Sequence, residues 1–523
     1  MLGRPVPLVL LFVASCLFRL PAFLNAAAVD SDAAIVGIQA IHILRGEWSP
    51  FLFGSGYQTS VDSFVAAGFF AVLGATPLAL MLSTFVGHLA LTALVFATLR
   101  RHTGRWLAAT LVLPLVVTPS PLHTYILGPP RQAALTLVFL SVWLLDGAAR
   151  RPLRSGLVHY AFGAAVALFA CFADPYALLF LPALALLALL ATADGVTGGL
   201  IASPLVRRRV LCGVIGGALG SLPLFFLWTR PGSWHGELGL TREAFARNWS
   251  LFTGECFPWI VSATAYRSRG HGLAYGPWAA PVAVRALQLA GAVVLIAGIG
   301  SGLFAVFARR IPWELRRLGL VGALVLPLTI GGFLVSVMVM DLFSTRYLAA
   351  IVLACPLALA PAGYVLRERR ALLALVPYLA SAALAGWLGF GPFVHGPWPV
   401  RTPSGLAKDE RALYAELSER GVTSALADYW VSYRLTFLYR EKLPVVPIHS
   451  REDRYAPYRV AFDRASVVAY VFDPRRSRED LDKELQELSS APEFSSAERL
   501  EVGDLTALVL HRTPVAPAVS HSI

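Results

Sequence analysis

Val29-Asp30-Ser31-Asp32-Ala33 follows an apolar run at residues 6–24, and that junction decides how the chain is read. A run of about 20 apolar residues is the length that crosses a bilayer. Two carboxylates at its end stand at a lipid–water boundary, where acids are costly and point to a functional site by default. The same pair also fits solvated loop acids opening a helix, because Asp is a favoured N-cap and the helix dipole favours negative charge there.

Composition carries the reading outward. The 523 residues are 56% hydrophobic and 15% charged, with a mean hydropathy of +0.63. Soluble chains hold about 45–50% apolar and about 25% charged residues. Apolar spans are expected at 6–24, 78–98, 106–120, 131–148, 157–172, 175–193, 210–228, 282–307, 318–340, 347–366 and 371–390. Arg4, Arg100/Arg101/Arg105, Arg150/Arg151/Arg154, Arg207/Arg208/Arg209, Arg309/Arg310/Arg316/Arg317 and Arg367/Arg369/Arg370 fall in alternate loops, on the side the positive-inside rule makes cytoplasmic. The N-terminus is then cytoplasmic and everything after 390 lies outside a cytoplasmic (inner) membrane. The net charge of +12 is topology information, not a nucleic-acid stripe. Five cysteines show neither disulfide nor metal spacing. Val13-Ala14-Ser15-Cys16 and Asn25-Ala26-Ala27-Ala28 are shaped like processing signals, yet the first run is long enough to stay as an anchor.

Four outward segments hold the chemistry-bearing residues. In the first outer loop, residues 25–77, Ile35, Ile38, Ile41 and Leu44 recur at helical spacing, with Gln39 and His42 elsewhere; this predicts a helix lying along the interface. Gly54-Ser55-Gly56-Tyr57 turns the chain, and Asp62 enters a second apolar stretch as its cap or as a site residue. Thr118–Arg131 is Pro-rich and carries His123, a turn residue or a site residue, together with Tyr125 and Arg131. The long outer loop, 230–281, holds Trp234, Trp249, Trp259 and Trp278, a composition suited to an interfacial belt. The fourth segment, Asp341 to Tyr347, puts Arg346 at the outer end of a span. Asp174 before Pro175 marks a helix start or a second acidic group.

The tail differs in kind. All three lysines, Lys408, Lys442 and Lys483, lie in it. Helix-like Gly405–Arg420, Tyr429–Arg440 and Ser477–Glu487 alternate with strand-like Ser424–Ala427, Val445–Ile448, Ser466–Phe472, Arg499–Val502 and Thr506–His511. This predicts a small soluble α/β domain at 400–513 and a disordered tail at 514–523. It has no phosphate loop, Cys/His cluster or nucleophile elbow. Asp428-Tyr429-Trp430, with Tyr433 and Phe437, forms an aromatic cluster, read as core or as packing against the membrane domain ahead of a carbohydrate platform. Acceptor recognition or a lid is the expected role of this domain.

Asp30-Ser31-Asp32-Ala33, Gly37-Ile38-Gln39-Ala40, Ile43-Leu44-Arg45-Gly46 and the run from Tyr57 through Asp62 to Phe70 and Gly74 resemble the first outer loop of GT-C membrane glycosyltransferases. That class includes the protein O-mannosyltransferases and the lipid A aminoarabinose transferase. Ser344-Thr345-Arg346-Tyr347-Leu348 is similar to the Arg-Tyr-Leu that opens a late helix in such proteins. The resemblance covers roughly residues 5–390 and rests on the order and sidedness of short motifs. The expected fold is an all-α polytopic membrane bundle of about eleven transmembrane helices, GT-C-like, at 1–395, followed by the small extracytoplasmic α/β domain.

The resemblance implies transfer of a sugar from a polyprenyl-phosphate-linked donor to a glycan, lipid or protein acceptor at the outer face of the membrane. It implies Asp32 as general base, with Asp30 as its partner. A lipid phosphate leaving group needs a fixed cation, for which Arg346 and Arg131 are the candidates, unless Arg346 merely snorkels to headgroups. Tyr57, Asp62, His123 and Asp174 are the candidate site-lining residues. A divalent cation, Mg or Mn, held by Asp30 and Asp32 stays open. The chain departs from the family pattern at Ala33, where related sequences carry Glu, and has no second acidic motif between Thr118 and Arg131. An inactive scaffold relative is therefore one alternative, and a polytopic transporter or lipid-glycan flippase is another. Against transport stand few mid-span charges and no internal repeat.

Overall fold

The computed structural model describes residues 5–148, 150–192, 203–228, 241–268, 275–390, 404–473 and 481–513. Trp234 and Glu237 of the long outer loop, the start of the expected Ser477 helix and the tail from 514 lie outside the described residues. The chain is a multi-pass membrane protein. Among the described residues seven helices are long and apolar enough to span: Pro77–Arg100, Leu153–Ala173, Pro175–Thr192, Pro204–Phe225, Val282–Phe307, Trp313–Val335 and Ala360–Leu388. An eighth is a bent pair, Arg105–Val116 and Ser120–Ile126, meeting at 83°.

The expected eleven spans are not all reached by length. Gln132–Ala148 has 17 residues, and Val6–Phe18 has 13, which at 1.5 Å per residue reaches about 20 Å of a core about 30 Å thick. Ala360–Leu388 is broken at Arg367 (φ 62°, ψ 169°), where the basic turn between the expected spans 347–366 and 371–390 falls.

The breaks have identifiable causes. Pro114 lies inside the Arg105–Val116 helix and Val117 turns extended, so carbonyls near the bend lose their helical partners. Buried Arg19 supplies replacements, donating from Nη1 to Val116 O (2.9 Å) and from Nη2 to the Thr118 hydroxyl (3.2 Å). His88 Nε2 donates to Leu115 O at 2.9 Å. The same end of the Trp313–Val335 helix is closed by buried Asn248, whose amide donates to Phe333, Leu334 and Ser336 carbonyls. Among the loops expected to be cytoplasmic, Arg101, His102 and Arg317 converge on fully buried Asp146 at 3.0–3.1 Å.

Beyond the membrane helices the chain forms a five-stranded sheet. Ser424–Ala427, Val445–Pro447 and Val467–Phe472 pair in parallel, while Leu505–Arg512 and Phe494–Val502 add antiparallel strands at one edge. Alternation sorts its side chains. Val468, Tyr470 and Phe472 face one core, and Ala469 and Val471 face the other with Leu413 and Leu417 of the Ser404–Glu419 helix. The Ala456–Arg464 helix was not expected from sequence.

The first of those cores is not confined to the tail. It runs without a break into the Ser31–Leu44 and Val61–Leu73 helices of the first outer loop. This corrects the expectation of a helix lying along the membrane interface. Ser31–Leu44 is buried on nearly every face, between Val61–Leu73 and the Tyr429–Leu438 helix. Gly37 permits the contact, since a Cβ there would come within 2.7 Å of the Phe437 ring. The polar residues on its other faces meet protein groups, not water. Gln39 bridges Phe51 O and Ser63 Oγ at 2.8 Å each, and His42 sits between Glu47 (2.8 Å) and Glu441 (2.6 Å).

Candidate active site

The two halves of the molecule meet around a cavity of about 290 Å³. Its floor is the start of the Ser31–Leu44 helix. Asp30 is the N-cap, its Oδ1 accepting from the Ala33 N–H at 2.8 Å. Asp32 lies in the first turn, where the dipole favours a carboxylate. Asp32 is half-buried and lines the cavity; its Oδ1 accepts a hydrogen bond from the Tyr429 hydroxyl at 2.5 Å. Among the described residues its Oδ2 has no hydrogen-bond partner.

Arg131 enters from the membrane domain just before the Gln132–Ala148 helix, with a left-handed backbone (φ 99°). Asp62 holds that turn: its two oxygens accept from the N–H groups of Arg131 (2.8 Å) and Ala133 (3.0 Å). Asp62 thus caps a helix 70 residues downstream of it, not its own. Burial pushes its carboxyl up to about 6, against the pull of those two backbone donors. The Arg131 guanidinium donates to Tyr125 OH (2.9 Å), pairs with Asp174 (3.3 Å) and is enclosed by the rings of Tyr125, Tyr176 and Tyr347. Asp174 also accepts from the Tyr176 N–H (2.8 Å) and from Gln58 (3.0 Å), so it is cap and counter-ion together.

Arg346 approaches from a tight turn set by a capping box between Asp341 and Ser344. Its guanidinium lies 3.9 Å from the Phe343 ring centroid and donates to Tyr347 OH at 3.1 Å. Among the described residues it has no carboxylate at ion-pair distance. Tyr57 lines this cavity and a neighbouring one that also touches Asp174. Burial pushes the Tyr57 phenol up, opposed by Arg131.

The cavity therefore gathers Asp30, Asp32, Tyr57, Arg131 and Arg346 from three loops far apart in sequence, with Asp62 and Asp174 behind Arg131. His123 does not line it. Its ring is buried, stacked on Phe390 at 4.3 Å and edge-on to Phe18, at the bend of the broken span. The opposite wall comes from the C-terminal domain, through Trp430 and Arg454. Arg454 was not singled out from sequence, where it stands in a charged loop without a motif. Tyr429 and Trp430 were visible as an aromatic cluster, and only their neighbours across the chain reveal the site.

Among the described residues no three His, Cys, Asp or Glu side chains converge as ligands. Asp30 and Asp32 could together give a divalent cation one or two carboxylates, with water and a donor phosphate completing its oxygen shell, as Mg sites commonly do.

No protein-family model matches the sequence, and no curated protein matches it. Solved structures do. The chain is similar to ArnT from Cupriavidus metallidurans in the apo state, with 13% identity over 96% of this chain and 97% of that one, TM-score 0.48. It is similar to the same protein bound to undecaprenyl phosphate, with 12% identity, the same coverage and TM-score 0.46. It is also similar to the Archaeoglobus fulgidus oligosaccharyltransferase in complex with Zn and sulfate, with 13% identity over 89% of this chain and 67% of that one, TM-score 0.46.

Proposed function

We propose that the chain is a membrane glycosyltransferase that moves a sugar from a polyprenyl-phosphate-linked donor to an acceptor at the outer face of a cytoplasmic membrane. The observation that carries this reading is the meeting, in one cavity beside the membrane helices, of a carboxylate with an open oxygen and a guanidinium that, among the described residues, has no carboxylate partner. Asp32 Oδ2 takes the proton of the acceptor hydroxyl as its oxygen attacks the anomeric carbon. The bond from that carbon to the phosphate oxygen breaks, and the electron pair leaves with the lipid phosphate. Arg346 meets the charge that develops there with paired N–H donors. Asp30 keeps the Asp32 helix turn in place through its cap, and Arg131 with Asp174 holds the wall beside Tyr57 and Tyr347. The basic loops support the orientation with the N-terminus cytoplasmic and the C-terminal domain outside.

The test is mass spectrometry of envelope glycans and glycolipids from the parent strain, a deletion, and the deletion carrying Asp32→Asn at matched expression. A sugar mass missing from the deletion and not restored by the variant supports transfer at Asp32. Full restoration by Asp32→Asn removes the base assignment and favours transport or a scaffold role.

A further inference from the structure

We infer that Tyr429 and Arg454, both from the C-terminal domain, are positioning residues for the Asp32 carboxylate, so that the site is complete only with that domain docked. This rests on the transfer reading above and deepens it.

The hydrogen-bond inventory leaves little freedom. A phenol has one hydrogen and two lone pairs. Arg454 donates to the Tyr429 oxygen from Nε (3.3 Å) and from Nη2 (3.1 Å). A guanidinium only donates, so the lone pairs are occupied and the phenol hydrogen must go elsewhere. It goes to Asp32 Oδ1, at 2.5 Å. The positive charge on Arg454 polarises the phenol and makes it a stronger donor. One oxygen of Asp32 is therefore held, and the other is presented to the cavity in a fixed direction. A base acts only within hydrogen-bond reach of the proton that it takes, and a misplacement of about 1 Å costs roughly a hundredfold in rate.

Arg454 is itself clasped. Its Nη1 donates to Gly54 O (2.9 Å), and its backbone N–H donates to Tyr433 OH (2.5 Å). Gly54 has φ +62°, and a Cβ there would lie 2.5 Å from the Arg454 Cα, so only glycine admits the contact. The Tyr429 ring is flanked edge-on by Trp430 and Tyr433.

The helix that carries Tyr429 is locked rather than hinged. Arg434 pairs with Glu410 and donates to Ala27 O (3.1 Å), Phe437 stacks on Phe70, and His42 bonds Glu441 across the same joint. A lid would need a lightly held contact surface, whereas here the contact is continuous with an apolar core. This docking orients the base.

The experiment follows the rate at which the deletion-sensitive sugar mass reappears after the gene is induced in the deletion strain. It compares wild type, Asp32→Asn, Tyr429→Phe, Arg454→Gln and Arg454→Lys, each at matched membrane levels and at medium pH 5 to 8. Phe keeps the ring packing and removes the hydroxyl, which is the donor to Asp32 and the acceptor of both Arg454 hydrogen bonds. Tyr429→Phe is expected to slow reappearance roughly tenfold to a hundredfold. Arg454→Lys should restore part of what Arg454→Gln loses. If Asp32→Asn is inactive while Tyr429→Phe matches wild type at every pH, the positioning role is overturned and the transfer reading stands. If the deletion loses no sugar, the transfer reading itself falls. The clasp is then judged by thermal melts of the purified full chain in detergent. There, Tyr429→Phe should lower the melting temperature clearly less in an Asp32→Ala background than in wild type. Equal lowering in both overturns the clasp as well.

Discussion

Glu410→Gln should loosen the joint between the C-terminal domain and the first outer loop far more than an isosteric change elsewhere on the surface. Glu410 and Arg434 form an ion pair whose side chains are each about 1% exposed. Arg434 also reaches Ala27 O (3.1 Å) and, through its backbone N–H, the Ser31 hydroxyl (3.4 Å), immediately beside Asp30 and Asp32. The amide of Gln keeps the shape and removes the charge, leaving a buried guanidinium with neutral acceptors and no counter-ion. Breaking one partner of such a pair costs about 3–5 kcal/mol. At about 1.4 kcal/mol per decade, local opening of the Tyr429–Leu438 helix should rise roughly 10²- to 10⁴-fold. Hydrogen exchange of peptides covering residues 429–438, under conditions where the opening equilibrium limits exchange, reads that number directly. A paired control separates charge from shape: Glu410→Leu with Arg434→Met removes both charges, and such swaps are often neutral or stabilising. Exchange in Glu410→Gln within about threefold of wild type refutes the reasoning, since ~3 kcal/mol predicts a hundredfold or more. A double variant as labile as the single one refutes it differently, by making packing rather than charge the cause.

Arg346→Gln should cut transfer roughly 10²- to 10³-fold while leaving the melting temperature near wild type, because among the described residues the side chain makes one hydrogen bond, to Tyr347 OH, and ring contacts with Phe343 and Tyr347 alone; Arg346→Lys should recover part of it in the same glycan assay. Asp146→Asn should destabilise the membrane domain by about 3–5 kcal/mol, read as a lower detergent melting temperature and yield, because Arg101, His102 and Arg317 lose their common negative charge and one of its two accepting oxygens. Docking of the C-terminal domain should depend on pH through His42 and Glu441. The Glu441 hydrogen bond holds His42 above its ordinary 6.5, so its contribution is full below 6.5 and fades as pH rises through the raised value. Burial pushes Glu441 up, but hydrogen bonds from His42 and Tyr458 hold it below its ordinary 4.5, so its contribution is present above 4.5 and fades as pH falls. Hydrogen exchange at residues 429–438 should be slowest between about 4.5 and 6.5, and His42→Gln should abolish the alkaline loss.

The membrane spans were legible because a bilayer demands length and apolarity, both local properties of the chain. The strands of the tail were legible for a similar reason, since Val467–Phe472 and Leu505–Arg512 are short β-branched and aromatic runs between turns. What could not be read were joints made across long separations. Arg19 satisfies carbonyls and a hydroxyl nearly 100 residues away, and nothing local marks it as anything but a charge between two apolar runs. The interface reading of Ser31–Leu44 failed because Gln39 and His42 look solvated until Ser63 and Glu441 are brought to them. Asp30, Asp32, Arg131 and Arg346 were singled out because they stand at span ends on the side away from the clustered basic loops, and they line one cavity. Arg454 was missed because a charged loop in a soluble domain is ordinary.

Charge matching around the cavity separates two arginines that the sequence offers as first and second candidates for the leaving phosphate. Arg131 already faces Asp174 at 3.3 Å and is closed in by three tyrosine rings. A phosphate drawn to it would approach the Asp174 carboxylate, and like charges at that range repel more strongly as the surroundings dry out. Arg454 directs its guanidinium donors to the Tyr429 phenol and to Gly54 O. Arg346 donates to Tyr347 OH and stacks on Phe343, and among the described residues most of its five donors have no acceptor. The geometry therefore favours the Arg346 side of the cavity for the leaving phosphate and the Asp32–Tyr429 side for the acceptor. On this division, Arg131 acts by fixing Asp174, Tyr125 and the turn that Asp62 caps. Arg131→Gln should then lower stability and transfer together, whereas Arg346→Gln should lower transfer alone.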